Sequence, residues 1–166
     1  MRAGTLSLLL ITAGSLFAQT APNWDRWQFL IGDWVGEGGG EPGQATGGFS
    51  LRPDLGGRVL IRRNRADYPA TKDKHAFSHE DLMIVYPEGS SAHAIYFDTE
   101  GHVIHYAAEF TREGLVFTSP AQDAAPRYRL TYTQSAAERV GILFEIAPPG
   151  KPEAFAPYIK AAAHRK

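Results

Sequence analysis

Punctuation constrains this chain more than any other feature of its sequence. From Asp33 onward, turn signals built on glycine, proline and aspartate recur roughly every 8–15 residues. Pro53-Asp54-Leu55-Gly56-Gly57, Pro87-Glu88-Gly89-Ser90 and Pro148-Pro149-Gly150 are three of them. Helices of ordinary length do not fit between such stops, whereas strands do. The runs between them also read as strands. Leu82 to Tyr86 is apolar throughout, and Arg127 to Thr133 alternates, with Tyr128, Leu130 and Tyr132 on one side and Arg127, Arg129, Thr131 and Thr133 on the other. The count comes to about nine or ten strands, the pattern of an antiparallel barrel or sandwich. One stretch differs. Trp24, Trp27, Leu30 and Ile31 follow a helical spacing that predicts a short N-terminal helix, stopped by Gly32. Residues 155–165 read either way, because their alanines favour helix and their alternation permits a strand. No repeat, low-complexity tract or domain boundary interrupts the chain.

Absences exclude several classes of function. There is no cysteine, so there is no disulfide, thiolate zinc site, cysteine nucleophile or lipid-modified N-terminal cysteine. The formal charge of −1 supplies no basic face for nucleic acid. At the N-terminus, Arg2 is the only charge before Asp25, residues 6–17 are almost wholly apolar, and Ala18 closes the run with a small side chain. That is the three-part pattern of a secretory signal peptide over residues 1–18. The apolar run is shorter than the roughly 20 residues a membrane span needs. Residues 19–166 are then expected to be exported, to the periplasm or beyond, with no membrane span after cleavage.

The hairpin around Asp98-Thr99-Glu100-Gly101 carries the most specific structural expectation. If the turn is those four residues, Phe97 pairs with His102, Ile95 with Ile104 and His93 with Tyr106. Ile95, Phe97, His102, Ile104, Tyr106 and Phe110 then share the inward face. Ala94, Tyr96, Asp98, His105 and Glu109 face solvent. A one-residue slip exchanges the faces of a strand.

The stretch Phe29-Leu30-Ile31-Gly32-Asp33-Trp34-Val35-Gly36-Glu37-Gly38 resembles the opening of calycin and lipocalin barrels, and is most similar to the nitrobindin-type branch. The phrases Gly57-Arg58-Val59-Leu60, Ile95-Tyr96-Phe97-Asp98, Gly101-His102-Val103-Ile104-His105-Tyr106 and Phe144-Glu145-Ile146-Ala147-Pro148-Pro149-Gly150 also resemble a family of secreted bacterial proteins of unknown function. The resemblance implies an all-β, antiparallel, up-and-down closed barrel of about ten strands with a short N-terminal helix. It further implies a cavity for an apolar molecule or haem. Trp34 would plug one end beside Gly32, with Arg165 stacked on it. In nitrobindins a histidine near the C-terminus holds the haem iron. Tyr158, in Pro157-Tyr158-Ile159-Lys160, stands at the comparable place, and tyrosinate is a known ligand of ferric haem.

The remaining chemistry is sparse. His102 and His105, three apart on a strand, point to opposite faces and cannot share an ion. His75 and His79 have helical spacing beside Glu80 and Asp81, but their surroundings read as a loop entering a strand, so no metal site is expected. Arg62, Arg63 and Arg65 follow an apolar strand start and are expected at a solvated strand end. An arginine kept in the wall facing inward would need a carboxylate. No nucleophile elbow and no phosphate-cradling loop is present. The reading is an exported barrel that binds a small apolar or haem-like ligand, with His93, His102, Tyr106 and Tyr158 lining the site and no sequence signal for catalysis. The alternatives are a barrel filled by its own side chains and an enzyme using cavity histidine and tyrosine.

Overall fold

The computed structural model describes residues 22–38 and 45–166. The expected signal peptide, residues 1–18, lies outside them. Ten strands follow one another: β1 (Gly32–Gly36), β2 (Thr46–Asp54), β3 (Val59–Tyr68), β4 (Phe77–Glu88), β5 (Ser91–Asp98), β6 (Val103–Phe110), β7 (Leu115–Thr118), β8 (Arg127–Ala136), β9 (Arg139–Ala147) and β10 (Ala156–Arg165). Each pairs antiparallel with its sequence neighbours, and β10 returns to β1, closing the barrel. Closure leaves no free edge. The ambiguous tail is therefore a strand. It has β9 on one side and β1 on the other, and pairing on both sides overrides the helix preference of its alanines.

The N-terminal helix is shorter than its periodicity predicts. Only Asp25–Trp27 forms a 3₁₀ turn, and no side chain caps it. Tertiary contacts hold this segment across one end of the barrel. Trp27 and Leu30 are buried there, with the Trp27 ring edge-on to Phe110 at 5.5 Å and to Phe117 at 5.9 Å. Trp34 is buried, donates from Nε1 to the Leu30 carbonyl at 2.8 Å, and stacks on Phe49 at 5.9 Å. Arg165 is the Cα partner of Trp34 across β1 and β10, and its guanidinium sits 4.6 Å from the indole centre. It also donates to the carbonyls of Ile31 at 2.7 Å and Phe29 at 3.3 Å, tying the plug to the last strand. Gly32 has φ +139°, and a Cβ there would run into that guanidinium.

The β5–β6 register differs by one residue from the sequence expectation. Phe97 pairs with Val103, Ile95 with His105 and His93 with Ala107. Ile104, Tyr106 and Phe110 face inward on β6, but on β5 the inward residues are Ala94, Tyr96 and Asp98. Ile95, His93 and Phe97 face outward, and Phe97 is exposed. The reason lies in the turn. Asp98 accepts from the backbone N–H groups of Glu100 at 3.1 Å and His102 at 2.9 Å, drawing His102 into the turn. Burial of Asp98, costly for a lone carboxylate, is offset by these donors and by the Tyr96 hydroxyl at 3.2 Å.

Candidate functional site

The two ends of the barrel are closed differently. Connections at the plugged end are short, residues 55–58, 89–90, 111–114 and 137–138. At the other end, residues 69–76, 119–126 and 148–155 are longer, and among the described connections there only 99–102 is brief. Inward-facing side chains follow the same gradient. On β9 Val140 is buried, while Ile142, Phe144 and Ile146 are half-buried. On β10 Ala163 is buried, while Ala161 and Ile159 are exposed although they face Ile142 and Phe144 across the ladder. On β8 Tyr132 and Leu130 are buried and Tyr128 is not fully covered. Small residues cause this opening. Gly36, Gly47, Ala66 and Ala161 occupy inward positions where the plugged half has Trp34, Phe49 and Leu51. The result is a cup with apolar walls.

Aromatic rings frame its mouth. Tyr68 and Phe77 stack at 4.5 Å, Tyr128 and Phe144 stack at 6.0 Å, and Tyr158 meets Phe144 edge-on at 6.1 Å. Tyr158 sits in a bulge of β10 and is 70% exposed. Burial, then the neighbouring Tyr158 and Glu100, push the Tyr68 phenol above its usual range.

A polar layer separates the cup from the packed half. Arg62 faces inward and is bonded to Asp81, with only 7% and 4% of their side chains exposed. Asn64 donates to Asp81 at 2.9 Å. The next inward residue of β4 is His79. Its Nε2 is 3.4 Å from Asp81 and 3.3 Å from the Tyr96 hydroxyl, and its Nδ1 is 2.8 Å from Glu100. Tyr96 also donates to Asp98, which holds His102 Nδ1 at 2.8 Å. The chain of contacts runs from a buried guanidinium to the solvent at Glu100. Burial is the largest influence and opposes charge on both Arg62 and Asp81. Asp81 with the Tyr132 and Tyr96 phenols together outweighs it for the guanidinium, which is held up, and Arg62 with the hydrogen bonds of His79 and Asn64 outweighs it for the carboxyl, which is held down. His79 is held up by its hydrogen bond to Asp81, against burial, with help from Glu100. Among the described residues, Arg62 Nε and the Tyr132 hydroxyl have no hydrogen-bond partner, and burial pushes the Tyr132 phenol up to about 12.

Of the residues singled out in the sequence, Tyr158 stands on the rim, and Tyr106 is buried in the packed half, edge-on to Phe117 at 6.2 Å. His102 lies in the turn, mostly exposed. His93 points away from the cup, 3.6 Å from Glu88 and beside the Tyr86 ring. The four do not converge on one site. The sequence offers His79 and Asp81 only as a metal spacing where a loop enters a strand, and Arg62 at a solvated strand end; it does not bring them together with one another or with Tyr96 and Glu100. β4 begins at Phe77 and pairs His79 with Ala66.

No residue of β10 is placed to hold a haem iron from inside the barrel. The inward positions of β10 are Ile159, Ala161, Ala163 and Arg165, His164 faces outward, and Tyr158 stands at the solvent edge rather than over a buried face. His79, Asp98 and Glu100 each bring a ligand atom within 4.8 Å of the others, a donor set of the kind a divalent ion uses. In this arrangement the same atoms are engaged in hydrogen bonds with one another, Tyr96 and His102. A shallow groove outside the barrel is lined by Val35, Ser50, Leu82 and Phe97 together with the charged Asp33, Arg63, Arg65 and Glu80. No family model and no curated protein sequence matches this chain.

Proposed function

We propose that the chain is an exported, calycin-type barrel that holds one small, largely apolar molecule in the cup at its open end. The observation that carries this reading is the gradient along the inner wall. Ile142, Phe144, Ile159 and Ala161 face inward and are apolar, yet remain reachable from the mouth. A wall of that kind loses contact with water when a ligand fills it, at roughly 25 cal/mol for each Å² covered. The Trp34–Arg165 stack beside Gly32 supports the calycin resemblance, and the pattern of Arg2, residues 6–17 and Ala18 supports export.

The test is titration with N-phenyl-1-naphthylamine, a neutral apolar fluorophore that brightens out of water. Saturable one-to-one binding is expected. Ala161→Trp, which fills the cup from an already exposed position, should abolish it without lowering the melting temperature. Failure to saturate, or binding indifferent to Ala161→Trp, would overturn the reading. Mature protein from the native host should begin near Gln19 on N-terminal sequencing.

A further inference from the structure

We infer that His79, Asp98 and Glu100 bind one zinc ion at the open end of the barrel, oriented from behind by Asp81 and Tyr96. The site rests on its own residues and not on the reading of the cup.

Geometry brings the donors together. The three residues come from β4, the end of β5 and the turn after it, and each places one ligand atom within 4.8 Å of the other two. Ligands about 2.0–2.1 Å from a tetrahedral zinc stand roughly 3.3 Å apart, so an adjustment of at most about 1.5 Å closes the site. Glu100, carried on a turn and 43% exposed, can make it. The sequence spacing sets His79 beside His75, whereas the fold sets it against the β5–β6 turn.

The surroundings of these donors are those of a metal site. His79 divides its ring between two tasks. Its Nδ1 is 2.8 Å from Glu100, and its Nε2 is 3.4 Å from Asp81 and 3.3 Å from the Tyr96 hydroxyl. A zinc-binding histidine needs that division, one nitrogen on the ion and the other N–H on a carboxylate that fixes tautomer and ring plane. Nδ1 is therefore the ligand atom. Asp98 is held as firmly. It accepts from the backbone N–H groups of Glu100 at 3.1 Å and His102 at 2.9 Å, and from the Tyr96 hydroxyl at 3.2 Å. Its remaining partner, His102 Nδ1 at 2.8 Å, belongs to a side chain 57% exposed, which can turn aside for the ion. One imidazole with two carboxylates suits zinc, whereas calcium and magnesium take oxygen ligands.

Charge favours a cation in the same place. Asp81 and Asp98 have 4% and 5% of their side chains exposed. Among the described lysines and arginines, only Arg62 pairs with Asp81, Asp98 or Glu100, and it is committed to Asp81. Lys72, Lys74 and Lys151, on the connections at this end, are exposed and form no ion pair with the three. Asp98 and Glu100 are left with histidines as their ion-pair partners, and a divalent ion neutralises both carboxylates at once. Without it, a proton lies between His79 Nδ1 and Glu100. Zinc takes that place, and the proton leaves to water.

Zinc chloride is titrated calorimetrically into the purified protein after chelator treatment and dialysis. The chain has no cysteine to compete for the ion. Binding of one ion is expected, with excess calcium or magnesium unable to displace it. Glu100→Gln and His79→Gln should each weaken it at least about ten-fold. His75→Gln and His105→Gln, which remove imidazoles outside the site, should leave it unchanged. In the nuclear magnetic resonance spectrum of the unaltered protein, the first equivalent of zinc should move the His79 ring signals and not those of His93 or His164. That readout needs no substitution, so it decides the question even where a variant fails to fold. No binding, displacement by calcium, or affinity indifferent to both Glu100→Gln and His79→Gln overturns the inference. Loss of binding in His75→Gln, or first movement at another histidine, shows adventitious surface binding and overturns it equally.

Discussion

The plugged half and the open half of this barrel are built from the same ten strands, with the same alternation, and reach opposite results. In the plugged half, Trp27, Trp34, Phe49, Phe117 and Tyr132 interlock, and all five are buried. In the open half the inward positions pass to Gly36, Gly47, Ala66 and Ala161, and the wall facing them stays reachable. A closed barrel fixes where side chains point, but their volume decides whether the interior is a core or a cavity. The polar layer of Arg62, Asp81 and His79 marks the boundary. Above it side chains are packed for stability, and below it they are spaced to leave room.

If this division holds, substitutions in the packed half cost stability and those at the mouth do not. The largest losses belong to Trp34 and Asp81. Trp34→Ala empties the plug and should cost about 3–5 kcal/mol in chemical denaturation. Asp81→Ala strands Arg62 as an unpaired buried charge, with a loss of about 3–5 kcal/mol. Replacing both partners, Arg62→Met with Asp81→Leu, should restore most of it. A small effect of Trp34→Ala would mean that the plug is not a core. Gly32→Ala comes next. It forces a side chain onto φ +139° and into Arg165, and should cost more than about 1 kcal/mol in the same measurement. Tyr158→Ala, at the rim, should stay within about 0.5 kcal/mol while weakening ligand binding. A larger loss of stability would place Tyr158 in the core and blur the division.

The same division explains what the sequence reveals. Turn residues and short alternating runs are local signals, so the all-β class and the strand number were legible, whereas closure was implied only by the resemblance. Trp34 and Arg165 were legible as partners through a resemblance that links the two ends of the chain. The polar layer was not. Arg62 and Asp81 lie on adjacent strands across the 69–76 connection, so neither shows its partner locally. Asp98 looked too costly to bury because its donors include Tyr96, on the same face two residues back, and the backbone of its own turn. One extra residue in that turn was enough to reverse β5. A usable signal existed in the alternation of His79, Asp81, Met83 and Val85 opposite Leu60, Arg62 and Asn64, where an inward arginine and an inward carboxylate answer each other across one hairpin.

The smallest expected effect sharpens the comparison most, because it separates the halves by pH rather than by size. His79 is held above its ordinary value, first by Asp81 and then by Glu100, so its imidazolium binds its proton more tightly in the folded chain than in the unfolded one. The stabilisation it contributes is therefore fully present below about pH 6.5, the unfolded value, and is lost as pH rises through the folded value. Asp81 runs the other way. Its folded value is depressed, so its contribution holds above the unfolded carboxylate range and fades as pH falls through the folded value. Nuclear magnetic resonance titration of the His79 ring should give a midpoint above that of a free imidazole. Glu100→Gln should lower the midpoint by removing the negative charge beside the ring while leaving Asp81 in place. The stability lost in Trp34→Ala, whose side chain bonds a backbone carbonyl and packs on Phe49, should show no matching step across that pH range. A His79 midpoint at or below the ordinary imidazole value, or one that Glu100→Gln leaves unmoved, would break the contact between β4 and the β5–β6 turn on which the polar boundary depends.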